Sequence, residues 1–193
     1  MKKSIINIIL FTIFLIMYYG CGKDNNEGDI SQKDVQKLIE SKPLKVYNFG
    51  DIIFFGEKGT AISYFIKGWS KPENNFTWTE GKEAKLSIPY EKLPQSENLT
   101  LKFNHSTFLV PGKLEKQNVI IFIDSTEISN LIIDNSNKTG IKEIVFSSNI
   151  IKNPNYINII FKLPDAQSPI NFGTGGDLRV LGINISTLII SSK

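Results

Sequence analysis

From Pro43 to its C-terminus the chain is cut into short β-branched and aromatic runs, most closed by glycine, proline or asparagine and none long enough for an ordinary helix. That punctuation leaves little besides strands joined by turns. Residues 46–49, 52–55 and 62–66 are separated by Gly50–Asp51 and by the stretch from Gly56 to Gly59. Residues 84–88 and 99–103 alternate apolar with polar, the period of a half-buried strand. Residues 108–110 run into Pro111–Gly112, a strong turn signal. The run from Asn118 to Asp124 is apolar on both parities, which predicts a central strand covered on both sides. Residues 131–133, 141–146 and 156–161 complete the set. About ten short strands with scarcely any helix predict an all-β, antiparallel sandwich.

The end of the chain reads as strand, loop and strand, from Phe161 through the loop to Ile185. Pro164 and Pro169 remove ladder donors from the loop, while Gly173, Gly175 and Gly176 admit positive φ. Asp177 and Arg179 then fall on one side of the second strand, where a carboxylate and a guanidinium form a fixed ion pair. Arg179 stands among Leu178, Val180 and Leu181, and a charge in such company requires a partner.

The opening residues belong to a different physical class. Lys2 and Lys3 precede an almost unbroken apolar run from Ile5 to Met17, and Gly20 leads into Cys21, the only cysteine. The run has the length of a signal-peptide core and falls short of the roughly 18–20 residues that span a bilayer. A small residue before a lone cysteine, with a polar exit after it, resembles a bacterial lipoprotein signal. The resemblance implies cleavage before Cys21 and acylation of its thiol with fatty chains such as palmitate. An uncleaved anchor with an incidental cysteine is the alternative, and either places the body outside the cytoplasm.

The expected organisation is a signal over 1–20, a lipidated tether and short helix over 21–43, and a sandwich over 44–193. Ser31 is positioned to cap that helix, and Val35, Leu38 and Ile39 lie at helical spacing before Pro43 stops it. A stalk or a lid at the domain's edge is the expected role. The localisation is a lipid-anchored membrane of the bacterial cell envelope, the outer membrane or the cell surface, with the lipid as the link to the membrane.

With Cys21 acylated the body has no disulfide, so core burial must stabilise it; 41% hydrophobic content in 193 residues suffices for one such core and not for two large ones. The formal charge of +3 falls to +1 without Lys2 and Lys3. Near-neutrality argues against a nucleic-acid partner, which requires a basic stripe.

Catalytic groups are sparse. The single histidine, His105, lies in a polar stretch that reads as a solvated strand end. No serine sits in a glycine-framed elbow, and neither His/Cys metal spacing nor an Asp-rich calcium loop is present. Glu73, Glu80, Glu83 and Asp177 are the remaining candidates for a glycosidase, which needs two carboxylates about 5–10 Å apart; nothing in their spacing demands that. The expectation is no enzyme, no cofactor and no metal.

Trp69 and Trp78 are the ligand candidates. Sugar rings lay C–H faces against an indole, and Glu73 and Asn74 between the two supply polar partners. The competing role for an aromatic beside a glycine is to plug one end of a sandwich.

Gly68–Trp69–Ser70, Pro72–Glu73 and Trp78–Thr79, with Gly81 and Ala84, are followed far downstream by Pro164 to Pro169, Gly173 and Asp177–Leu178–Arg179 with Leu181, Gly182 and Ile183. This order resembles an uncharacterised bacterial envelope domain found beside membrane-bound glycosyltransferases and sugar-phosphate transferases of surface-polysaccharide assembly. It covers Tyr47 onward, and Thr77 stands where that domain usually has an arginine. The resemblance implies a jelly-roll-like sandwich and an association with envelope polysaccharide. A non-catalytic carbohydrate-binding or glycan-assembly module is the first expectation; a structural or adhesive lipoprotein that binds an unknown protein partner is the second.

Overall fold

Strand β4, Glu83–Pro89, buries Ala84, Leu86 and Ile88 and turns Glu83, Lys85 and Ser87 outward, and this alternation organises the rest of the molecule. The computed structural model describes residues 45–193. The expected signal, Cys21, the tether and the short helix lie outside the described residues.

Nine further strands accompany it among the described residues: β1 (Ile53–Phe54), β2 (Phe65–Lys67), β3 (Thr77–Glu80), β5 (Asn98–Thr107), β6 (Lys116–Ile123), β7 (Thr126–Asp134), β8 (Thr139–Ser147), β9 (Tyr156–Lys162) and β10 (Leu181–Ser192). All pair antiparallel. One sheet runs β1-β10-β5-β8, with β3 beside β1 on the same flank of β10; the other runs β2-β4-β9-β6-β7. Between them lies one apolar core, in which Leu86, Leu101, Phe103, Ile121, Ile159 and Phe161 are almost wholly buried. Phe103 meets Phe161 edge to face at 5.6 Å across the sheets. Each side chain buried in this way contributes about 1.5–3 kcal/mol relative to exposure.

Several segments differ from the sequence expectation, each for a local reason. β6 is covered on one side only: Val119, Ile121 and Ile123 are buried, whereas Ile120 and Phe122 are partly exposed. A two-layer sandwich has no third layer to cover the outer face, and Lys162 instead lays its ammonium 4.6 Å over the Phe122 ring. Residues 46–49 form no strand; the Tyr47 N–H donates to the Pro89 carbonyl, and its hydroxyl bonds the Asp51 and Ile190 backbone. The run at 62–66 divides into a 3₁₀ turn, Ala61–Tyr64, and β2; residues three apart eclipse on such a turn, so Ala61 and Tyr64 both reach the core. Residues 108–110 give only a bridge from Val110 to Leu114 around Pro111–Gly112. β7 starts at Thr126, five residues before its apolar run.

His105 is also not where its polar neighbours place it. It is 3% exposed, on the inward parity of β5 with Leu101 and Phe103, and its Nδ1 lies 3.2 Å from Thr107 Oγ1.

Candidate functional site

The segment between β2 and β3 is fixed by backbone contacts before any side chain is considered. Gly68, at φ +72°, sits against the Glu83 carbonyl with no room for a Cβ. Beyond it Trp69 bridges to Thr79, and Ser70 donates its N–H to the Trp78 carbonyl at 3.0 Å. The chain then turns, with the Glu73 N–H on the Phe76 carbonyl at 2.8 Å. A second loop braces this turn from outside: the Glu57 N–H bonds the Glu73 carbonyl at 2.9 Å, and the Gly56 Cα packs so close to the Asn74 carbonyl that a Cβ would collide with it. Loop 70–76 is thus braced by backbone bonds, within itself and from Glu57.

The opposite wall comes from the segment that leads into β10. Pro169 opens a 3₁₀ turn, Pro169–Phe172, that ends at Gly173 in the left-handed region. Ser168 Oγ then donates to the Leu178 carbonyl at 2.6 Å, and the Ile170 N–H to the Asp177 carbonyl at 3.2 Å. Asp177 and Arg179 consequently precede β10 on a loop, since the strand starts at Leu181, and Leu178 between them is 72% exposed.

Arg179 reaches out from this loop and joins the two walls. Its Nη2 donates to Asp177 Oδ2 at 2.7 Å, its Nε lies 3.1 Å from both Asp177 oxygens, and its backbone N–H donates to Asp177 Oδ1 at 2.9 Å. Its Nη1 donates to Glu73 Oε1 at 3.2 Å, a partner 106 residues away in sequence. The Arg179 guanidinium holds the Asp177 carboxyl below its usual range, and those bonds keep the arginine charged. A carboxyl with a lowered pKa is the reverse of what a general acid requires, so Asp177 is a fixed anion here.

An open cleft of about 460 Å³ lies between these walls, lined by Glu57, Lys71, Pro72, Glu73, Asn74, Phe76 and Arg179. Of the guanidinium's five N–H groups, three are engaged, which leaves one on each Nη directed to solvent or to a ligand. Glu73 Oε2 and the Asn74 amide likewise have no bonding partner among the described residues.

The six residues singled out in the sequence divide among three places. Glu73, Asn74 and Arg179 meet in the cleft, and Asp177 anchors the arginine from behind. Trp78 lies on the outward parity of β3, edge-on to Phe76 at 6.1 Å. Trp69 points inward, stacked on Phe65 at 5.0 Å and packed against Phe55 and Phe161, with its Nε1 on the Lys85 carbonyl at 3.0 Å. Its ring faces core side chains. The aromatic that lines the cleft is Phe76, and Glu57 and Lys71 complete the polar lining. None of these three carried a local signal beyond Phe76's position between Asn75 and Thr77.

Of the other carboxylates, Glu83 pairs with Lys67 at 2.8 Å, and Glu80 belongs to β3. No group of three or more His, Cys, Asp or Glu side chains able to hold a metal occurs among the described residues. A second open cleft, of about 500 Å³, lies between Tyr47–Phe49 and residues 91–95. Its charged groups, Glu91 and Lys92, are exposed and form no side-chain bond among the described residues. The Arg179 cleft is the better prepared of the two, because Arg179, Glu73 and Asp177 are already bonded to one another there.

No protein-family model matches the chain, and no curated protein sequence does. Solved structures similar to it include the C-terminal CBM6 of LamC, a marine laminarinase from Zobellia galactanivorans, at 11% identity over 74% of this chain and 100% of that one, with a TM-score of 0.44. A family 35 carbohydrate binding module from Clostridium thermocellum is similar at 11% identity over 75% of this chain and all of its own, with a TM-score of 0.45. A family GH115 4-O-methyl-α-glucuronidase, BtGH115A, matches at 12% identity over 77% of this chain, with a TM-score of 0.43; the match spans only 18% of that enzyme. The likeness is one of two-sheet sandwich architecture alone.

Proposed function

We propose that this chain is a lipid-anchored, non-catalytic protein of the bacterial cell envelope whose sandwich holds a glycan in the cleft between loop 70–76 and Arg179. One observation carries the reading: Arg179 is held in advance between Asp177 and Glu73, beside the Phe76 ring and the unbonded Asn74 amide. Sugars require fixed donors and acceptors for their hydroxyls and an apolar surface for their C–H faces, and this cleft offers both. The strand orders β3-β10-β5-β8 and β4-β9-β6-β7 support a jelly-roll winding. Cys21, behind its apolar leader, carries the acyl chain in this reading, and the glycan is a surface polysaccharide or one being assembled.

A glycan array with the full chain beside Phe76→Ala and Trp78→Ala tests the site. Binding to one sugar class that Phe76→Ala abolishes and Trp78→Ala weakens is the expected result. Labelled palmitate should enter the wild-type chain in a bacterial host and fail to enter Cys21→Ser; equal labelling removes the anchor.

A second reading, a surface protein that binds another protein, is favoured by the two flanking edges. Strands β7 and β8 each pair on one side only among the described residues, and they expose Ile132, Ile141 and Val145. An array on which no glycan binds would transfer the function to those edges.

A further inference from the structure

From the charges of the Arg179 cleft we infer its ligand class: a glycan free of acidic groups, with sugars that carry a free amine bound best. The inference rests on the glycan-binding reading above. Acidic polysaccharides are the usual expectation wherever an arginine lines a cleft, because its fork matches a carboxylate. Here the fork is already occupied: Asp177 takes Nε and Nη2, and Glu73 takes Nη1. Two carboxylates therefore answer one guanidinium. Glu57 adds a third carboxylate, exposed and without a salt-bridge partner among the described residues, against which stands only Lys71, also exposed.

Among the described residues the cleft with its Asp177 anchor thus holds three anionic groups against two cationic ones, and the one cation there without a bonded partner is an exposed lysine. A ligand carboxylate or phosphate entering it must either displace Glu73 from Arg179 or share the two remaining N–H groups of a guanidinium already answered by two carboxylates, beside Glu57 and Glu73 with Lys71 as the one uncommitted counter-charge. Both routes oppose binding. A sugar ammonium meets the reverse situation, with Glu57 and the unbonded Glu73 Oε2 as acceptors. A neutral hydroxyl sugar falls between, bonded by Asn74 and the remaining Arg179 N–H groups.

Three β-1,4-linked oligomers of equal length, of glucosamine, glucose and glucuronate, titrated into the full chain in mildly acidic, low-salt buffer, separate the classes. The expected order is glucosamine, then glucose, then glucuronate, with roughly a five- to tenfold gap between the extremes that narrows as salt is added. In Glu57→Gln that gap should shrink by about half or more. Glucuronate binding as tightly as glucosamine, or a gap indifferent to Glu57→Gln, overturns the inference and leaves glycan binding standing. Failure of all three beside other glycans that bind on the array overturns the inference alone, whereas an array blank for every glycan removes the glycan reading as well.

Discussion

Thr79 and Ile183 are joined by both backbone groups of one residue to a single hydroxyl: Thr79 Oγ1 accepts the Ile183 N–H at 3.0 Å and donates to the Ile183 carbonyl at 2.9 Å. The register of β3 on β10 shifts between Leu181 and Asn184, so the ladder leaves the Ile183 groups without a backbone partner on that side and the side chain takes its place. Gly182 makes room for this, since a Cβ there would meet Leu163 Cδ2 at 2.8 Å and Thr79 Oγ1 at 3.2 Å.

Thr79→Val keeps the shape and removes both bonds at a buried position. Urea unfolding should show a loss of about 1–3 kcal/mol, with Thr79→Ser within about 1 kcal/mol of wild type. Equal stability of the valine and serine variants would mean that the hydroxyl does not support the irregular register.

Arg179→Lys removes the fork that connects loop 70–76 to the β10 approach and keeps the charge. Global stability should change by less than about 1 kcal/mol, since Arg179 and Glu73 are one-third or more exposed. Locally the effect is larger: the Glu57 and Glu73 amides, which close the loop, should exchange with deuterium about fivefold faster or more. The Asp177 carboxyl should also rise toward its ordinary range by NMR titration. Unchanged exchange would show that the backbone bonds hold the loop without the arginine.

His105 makes the fold sensitive to mild acid. Burial, with a smaller contribution from the like charge of Lys142, lowers its pKa to about 4. Among the described residues its Nε2 has no hydrogen-bond partner, and Nδ1 has only the neutral Thr107 hydroxyl. Between about pH 6.5 and 4 the unfolded chain takes up a proton that the folded chain refuses, so stability falls as pH falls through that window, by on the order of 3 kcal/mol in full. Asp177, whose pKa is lowered, gives up its contribution only below the ordinary carboxylate range, so the two effects separate. The urea midpoint of the wild type should drop from pH 7 to pH 5, and that of His105→Gln should stay level. A wild-type midpoint that does not move would place a compensating partner on the imidazole.

The strands were legible wherever one face is buried and the other is wet. β4 shows this in its own letters, and so does β5 through Leu99, Leu101 and Phe103. The same period, carried two and four residues further, puts His105 and Thr107 on the inner face; the polar neighbours obscured it. β6 was misread as two-sided because Ile120 and Phe122 are apolar although they face outward. The candidate site was legible only in pieces. Glu73, Asn74 and the Asp177–Arg179 pair each stand out locally, but no local pattern joins residues 106 positions apart, and only the return of β10 beside β3 does so. The same topology assigns Trp69 inward, opposite Thr79, and Trp78 outward, which flanking residues alone do not distinguish.

In the proposed function a glycan sits between loop 70–76 and Arg179. Amide chemical shifts of the isotope-labelled protein, followed while the strongest glycan from the array is titrated in, locate it residue by residue. The expected outcome is movement centred on Glu57, Asn74, Phe76 and Arg179, lost in Phe76→Ala. Movement centred instead on Phe49 and Gln95, or along the β7 and β8 edges, would contradict it.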